Sequence, residues 1–152
     1  MNQREGWLLV DEAYGDVYPE SSVTPVAGTD AAPRLVTFRS LGKFFGLAGA
    51  RVGFVFANQL LRQRLADALG PWAISGPARW AAQAALANTT WQRNQITHIR
   101  DAGIRLKLLI THTIRPEAPV KSTGLFSTLQ LADAAGLFEH LARQGILVRL
   151  FR

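Results

Sequence analysis

The sequence predicts an α/β fold, and three observations carry that reading. The run Trp7-Leu8-Leu9-Val10 is continuously apolar, as in a strand buried on both faces, and it ends in Asp11-Glu12. Strand-like runs then alternate with helix-period stretches. After Pro116 and Pro119 the pattern returns to a second, smaller α/β unit.

Taken in order, residues 7–10 form the first strand. In an open sheet, ligands bind beyond the carboxyl ends of the strands, so Asp11 is placed to face one. Residues 14–33 are rich in Gly, Pro, Ser, Thr and Asp and read as a loop. Its length calls for some helical or functional content. Residues 34–38 are the second strand, which delivers Ser40 and Lys43 to the same edge. Residues 52–57 are the third. Asn58 then caps a helix whose face is Leu61, Leu65, Ala68 and Leu69, stopped by Gly70-Pro71. Pro77 suits the first turn of the next helix, which carries Ala81, Ala84 and Ala85. Thr89 or Thr90 caps a long third helix with the apolar line Ile99, Ala102, Leu106, Leu109 and Thr113. Pro116 and Pro119 end it. Residues 124–131 partly alternate and read as a strand. Asp133 caps a helix through Leu137, Phe138 and Leu141, which Gly145 terminates in left-handed conformation. Residues 146–149 are expected to form a final short strand.

The composition is that of a globular chain: 152 residues, 48% hydrophobic and 18% charged. There is no cysteine, hence no disulfide framework and no thiolate metal site. His98, His112 and His140 have no ligand spacing and read as helix-surface residues, so no metal is expected. The net charge of +6 is spread from Arg4 to Arg152 without a basic block, which argues against a nucleic-acid partner. No apolar run approaches the ~20 residues of a membrane span. Met1 to Glu5 lead straight into a strand without a secretory core, and a cytoplasmic location is expected.

The chemistry gathers between Arg39 and Phe54. Ser40, Lys43 and Arg51 stand in an apolar, glycine-rich run. Phe44, Phe45 and Leu47 are expected to draw Lys43 into low dielectric and lower its pKa. An amine that loses its proton near neutral pH attacks carbonyls, so Schiff-base chemistry is indicated. Ser40 and Arg51 suit an anion that the glycines let approach the backbone. One carbonyl plus one phosphate describes pyridoxal 5'-phosphate.

Ser40-x-x-Lys43, followed after seven residues by Arg51-Val52-Gly53-Phe54, resembles the cofactor-lysine motif of the class I/II aminotransferases, the fold-type I pyridoxal-phosphate enzymes. Val10-Asp11-Glu12-Ala13-Tyr14 resembles that family's other signature. Each motif is common singly; both, in order and about thirty residues apart, are specific. The resemblance implies that Lys43 carries the cofactor as a Schiff base and that Ser40 and Arg51 hold its phosphate. It implies that Asp11 keeps the pyridine nitrogen protonated and that Tyr14 reaches the ring hydroxyl. It also implies a mixed, mostly parallel sheet in a large domain, with residues 1–88 its second half. Residues 89–115 are then the connecting helix and 116–152 most of the small domain.

Residues 69–78 and 140–149 are similar to the threonine-phosphate decarboxylase branch, which works in cobalamin biosynthesis. Its relative, histidinol-phosphate aminotransferase, shares the phosphorylated amino-acid type of substrate. In both, an arginine at the place of Arg149 is implied to grip the substrate phosphate; a strand-edge surface arginine is the other reading. Arg152 sits too close to Arg149 to be given the carboxylate-clamping role. The family's chains are about twice as long, so the chain is expected to be an internal or truncated fragment with an unpaired sheet edge. The full-length parent is expected to be a homodimeric enzyme, a decarboxylase or an aminotransferase. Whether the isolated 152 residues are catalytic is left open. A reading of another class is a non-catalytic, cofactor-binding regulatory domain.

Overall fold

The structure is a computed structural model that describes residues 6–151. The expectations placed on Met1 to Glu5 and on Arg152 lie outside the described residues. Two compact units are found, one ending at Ile99 and the other beginning at Arg100.

The first unit holds a three-stranded mixed sheet, ordered β1 (Leu8–Asp11), β2 (Leu35–Ser40), β3 (Gly53–Phe56). β1 and β2 pair in parallel, with Leu8 opposite Leu35 and Asp11 opposite Phe38. β2 and β3 pair antiparallel, with Ser40 opposite Gly53. The central strand is buried as its apolar run demands: Leu35, Val36 and Thr37 are inaccessible or nearly so. β1 departs from expectation. Leu8 and Leu9, which project to opposite faces of the sheet, are each 62% exposed, and among the described residues no strand lies along the outer edge of β1.

Residues 14–33 contain three short 3₁₀ turns, at Gly15–Val17, Pro19–Ser21 and Thr24–Val26, so the long connection is partly helical as expected. Gly28 seals this connection against the end of β3. Its φ is +73°, and a Cβ there would lie 2.0 Å from the Ala57 carbonyl carbon, so only glycine fits.

Helix α1 (Gln59–Leu69) is capped by Asn58, whose side chain accepts from the Leu61 N–H. Its face is shallow: Leu61 and Leu65 are half-buried, whereas Ala68 and Leu69 are exposed. Helix α2 (Gly76–Ala87) is capped by Ser75 and buries Ala78 and Ala82, with Ala81 and Ala85 at the rim and Ala84 outside. Ala78 and Ala82 pack on Leu41 and Val52 to form the core, which Phe45, Leu47, Ala50, Phe54 and Ile74 complete. Small residues on α2 let the helix approach the loop that follows β2.

Helix α3 (Thr89–Ile114) begins one residue after its cap. The cap is Asn88, not Thr89 or Thr90: its Oδ1 accepts from the Trp91 N–H at 3.0 Å. A side-chain amide at this place fills the role expected of the threonine hydroxyls. Ile99 and Gly103 are buried, but Leu106 and Leu109, further along the predicted apolar line, are exposed.

In the second unit, the residue 124–131 stretch yields only β5 (Ser127–Thr128), which pairs antiparallel with β4 (Lys121–Ser122). The turn between them rests on α3, where a Cβ on Gly103 would come within 2.7 Å of the Gly124 Cα. Helix α4 (Ala134–Arg143) is capped by Asp133, which accepts from the Gly136 N–H at 2.8 Å. Residues 146–149 form no strand. The Ile146 N–H bonds to the Leu141 carbonyl and the Gly145 N–H to that of Ala142, the 6→1 and 5→2 pair of a helix stop around left-handed Gly145. Among the described residues no strand lies beside this tail.

The core makes a direct prediction. Leu41 is 1% exposed, and Leu41→Ala should cost about 2–5 kcal/mol in urea unfolding. Leu60→Ala, on the outer face of α1 and 64% exposed, should change stability by about 0.5 kcal/mol or less. Equal losses would mean that the Leu41 cluster is not the core.

Candidate functional site

The site lies at one edge of the sheet. Strand pleat and register put Asp11, Phe38 and Ser40 on one face and Glu12, Thr37 and Arg39 on the other. Parallel pairing makes β1 and β2 end together. Antiparallel β3 starts where they end, so Arg51, two residues before it, returns to that edge.

Lys43 is presented on a loop closed by the Leu47 N–H on the Leu41 carbonyl at 2.9 Å, with the Gly46 N–H on the Lys43 carbonyl at 3.1 Å. Gly46 takes φ +68° in this turn. Beneath it Phe44, Phe45 and Trp91 form an aromatic triangle, with centroids 4.9 to 5.8 Å apart. The expected burial of Lys43 is not found. Phe44 is buried and Phe45 half-buried, and they turn inward, leaving the Lys43 side chain exposed. Its Nζ lies 5.3 Å from the centre of the Tyr14 ring. Thus Lys43 and Tyr14 of the two motifs do meet.

Ser40 Oγ accepts from the Gly42 N–H at 3.4 Å, holding the start of the Lys43 loop. Arg51, the residue that follows the 3₁₀ turn Ala48–Ala50, is left-handed at φ +53°. That conformation favours glycine, so a guanidinium is kept there at a backbone cost of about 1 kcal/mol. Its side chain is exposed, as is that of Asp11. Asp11 Oδ1 accepts from the Ala13 N–H at 2.9 Å. A cleft of about 250 Å³ opens beside Ser40, lined by Asp16, Arg39, Phe45, Phe54 and Gln92 among others.

Arg149 lies in the second unit. It is exposed, with its guanidinium 5.6 Å from the centre of the Phe151 ring, and the strand expected to carry it is absent. The three histidines lie on α3 and α4 as expected. Among the described residues no cluster of His, Asp and Glu could hold a metal, and no helix is long and apolar enough to cross a membrane.

Sequence reasoning assigned no role to Glu12, Asp16 or Arg39. Glu12 is 8% exposed, and its carboxylate accepts from Ser22 Oγ at 2.6 Å, the Val23 N–H at 2.7 Å and Thr24 Oγ1 at 2.8 Å. Desolvation pushes its carboxyl up. The bonds from Ser22, Thr24 and Val23, with the Arg39 charge, outweigh that and hold it below the ordinary carboxylate range. Arg39 ion-pairs with Asp16. Burial nevertheless leaves the Asp16 carboxyl raised, against the opposing pull of Arg39. The missed signal was the pleat: adjacent strand residues face opposite ways, so an Asp11 aimed outward requires a Glu12 aimed beneath the sheet.

The model of the family described as aminotransferase class I and II matches residues 1–152. A threonine-phosphate decarboxylase of Pseudomonas aeruginosa is 44% identical over 151 residues, 99% of this chain and 44% of that protein. A histidinol-phosphate aminotransferase of Pelodictyon phaeoclathratiforme is 34% identical over 142 residues, 93% of this chain and 39% of that one. The chain therefore spans less than half the length of these relatives. In structure it is similar to histidinol-phosphate aminotransferase from Sinorhizobium meliloti in complex with pyridoxal-5'-phosphate. The TM-score is 0.79 at 23% identity, over 95% of this chain and 40% of that one. With the family model matching from end to end and the two motifs meeting at one sheet edge, the chain belongs to the class I and II aminotransferases.

Proposed function

We propose that this chain is the cofactor-lysine portion of a pyridoxal-phosphate enzyme that decarboxylates L-threonine O-3-phosphate. The observation that carries the substrate and reaction is the 44% identity to a threonine-phosphate decarboxylase across nearly the whole chain. The donor set fits the cofactor. An exposed amine, a hydroxyl, a guanidinium and a carboxylate at one sheet edge match a carbonyl, a phosphate and a pyridinium. The open space around Gly46 and Gly49 leaves room for a ligand at the Lys43 loop.

When bound, the cofactor supplies an electron sink for the pair left when a bond at the substrate α-carbon breaks. The protein residues do the rest. Lys43 would hold the cofactor through Nζ, and its amine, when free, would be placed to deliver a proton to the substrate α-carbon. Asp11 holds a proton on the pyridine nitrogen. It accepts one hydrogen bond among the described residues, from Ala13, and so keeps acceptor capacity for that role. Tyr14, already beside Lys43, orients the ring oxygen. Ser40 and Arg51 take the phosphate, with the Arg51 guanidinium supplying the charge-assisted bonds. Arg149 grips the phosphate of the substrate. The full-length enzyme works as a homodimer in the cytoplasm, and residues 1–88, 89–115 and 116–152 are the second half of its large domain, its connecting helix and most of its small domain.

A second reading is a histidinol-phosphate aminotransferase, supported by the 34% identity to one of these enzymes. Product analysis of the full-length enzyme separates the two. Threonine phosphate converted to a phosphorylated amine and carbon dioxide supports the first. A keto product with pyridoxamine phosphate left behind establishes the second. Cofactor bound without turnover of either substrate would point to a regulatory domain instead.

Two residue-level outcomes follow. Borohydride reduction in the presence of pyridoxal phosphate should fix the cofactor to Lys43. A peptide map that finds it on Lys107 or Lys121, the other lysines of the chain, overturns the assignment. Asp11→Ala in the full-length enzyme should retain that covalent capture yet lower kcat by about a hundredfold or more. Near-normal turnover would reduce Asp11 to a strand-end residue.

A further inference from the structure

Glu12 is adjacent to Asp11 in sequence and points to the opposite face of the sheet. A buried carboxylate is costly unless each oxygen is bonded, and here both are. Oε1 takes the Val23 N–H, and Oε2 takes the hydroxyls of Ser22 and Thr24. Thr24 Oγ1 has one hydrogen, which it gives to Glu12. Its 2.9 Å contact with Thr37 Oγ1 must then be donated by Thr37, a residue with no exposed surface in the middle of β2. The three donors to Glu12 come from three consecutive residues, so one side chain pins the middle of the 14–33 connection to the sheet.

The main chain of Glu12 grips the start of the same connection. Its N–H donates to the Phe38 carbonyl at 2.8 Å, which extends the β1–β2 pairing by one residue. Its carbonyl accepts from the Gly15 N–H at 2.9 Å, closing the turn in which Tyr14 sits. The Glu12 side chain packs under that turn, out to its bonded carboxylate: a Cβ on Gly15 would meet the Glu12 Cβ at 3.3 Å, Oε2 at 3.7 Å and Cγ at 3.8 Å. The Tyr14 ring, held by this turn, stands 5.3 Å from Lys43 Nζ.

We propose that Glu12 is a positioning residue of the site: its carboxylate, bonded to Ser22, Val23 and Thr24, locks the turn that holds the Tyr14 ring against Lys43. The consequence for the cofactor rests on the proposed role of Lys43; the mechanical link does not, and it is tested without cofactor. An apolar residue of similar size would fill the space but would release Ser22, Val23 and Thr24 from the strand.

The test is reductive methylation of the chain with formaldehyde and cyanoborohydride, read by mass spectrometry as the rate at Lys43 relative to Lys107. Tyr14→Ala removes the ring and should raise the Lys43 rate about two- to fivefold, the worth of an exposed cation–ring contact. Glu12→Ala should raise it by a similar factor, and the double variant should rise no further. Thr24→Val, which deletes one hydroxyl, should move the rate in the same direction and keeps the test decisive if Glu12→Ala does not fold. Effects of Glu12→Ala and Tyr14→Ala that multiply overturn the proposal, as does an unchanged Lys43 rate in folded Thr24→Val and Glu12→Gln. A parallel borohydride arm with pyridoxal phosphate separates the two readings. Coupled methylation rates without cofactor capture at Lys43 uphold the clasp and reject the cofactor role. Capture at Lys43 with uncoupled rates does the reverse.

Discussion

The pairing of β2 with a parallel neighbour on one side and an antiparallel one on the other decides where the chemistry can occur. Parallel β1 and β2 deliver Asp11 and Ser40 to the same sheet edge, and antiparallel β3 must start there. Asp11, Ser40 and Arg51 are thus brought to one sheet edge by the strand directions alone. A one-residue slip of β1 would exchange the faces of Asp11 and Glu12, putting the bonded carboxylate in the open and the open one beneath the sheet. On the role proposed for Asp11, the register is a functional constraint as much as a structural one.

The Lys43 loop shows how apolar residues serve a polar site without enclosing it. Leu41 and Phe44 fill the core, and Phe45 stacks on Trp91 at the start of α3. The lysine between them has no inward direction left. The aromatic anchor fixes the loop backbone, while Nζ remains in contact with solvent and with the Tyr14 ring. Small alanines on α2 allow this anchor to sit close to the helix.

Local signals in the sequence located most elements. The Asn58 and Asp133 caps, the Gly145 stop and the strand–helix alternation all rest on short-range chemistry that a few residues express. What required the folded chain was long-range. Burial of the 7–10 run depends on what lies along the far edge of β1, which its own composition does not encode. A strand at 146–149 needs a partner, and without one among the described residues the Ile146 amide serves the helix stop instead. Lys43 is exposed because its apolar neighbours in sequence, Phe44 and Phe45, turn into the core and are not its neighbours in space. At the long helix the cap expected at Thr89 or Thr90 falls one position earlier, on Asn88, whose amide oxygen takes the Trp91 N–H.

Glu12 and Asp11 show why adjacent, chemically alike residues can serve opposite ends. Every acceptor bond that fixes Glu12 lowers its freedom, and the bonds together overcome the desolvation that would protonate it. Asp16 goes the other way: burial raises it by more than its ion-pair partner Arg39 offsets. Three donors converge on Glu12, whereas among the described residues the buried Asp16 Oδ2 has no hydrogen-bond partner. The Glu12 charge beneath the sheet is thus held by bonds to both of its oxygens. On the opposite face Asp11 spends one bond on its own turn and keeps the remainder of its acceptor capacity at the open edge. The sheet separates a carboxylate that fixes geometry from one available for chemistry, and the period-2 pleat of a single strand suffices to make that division.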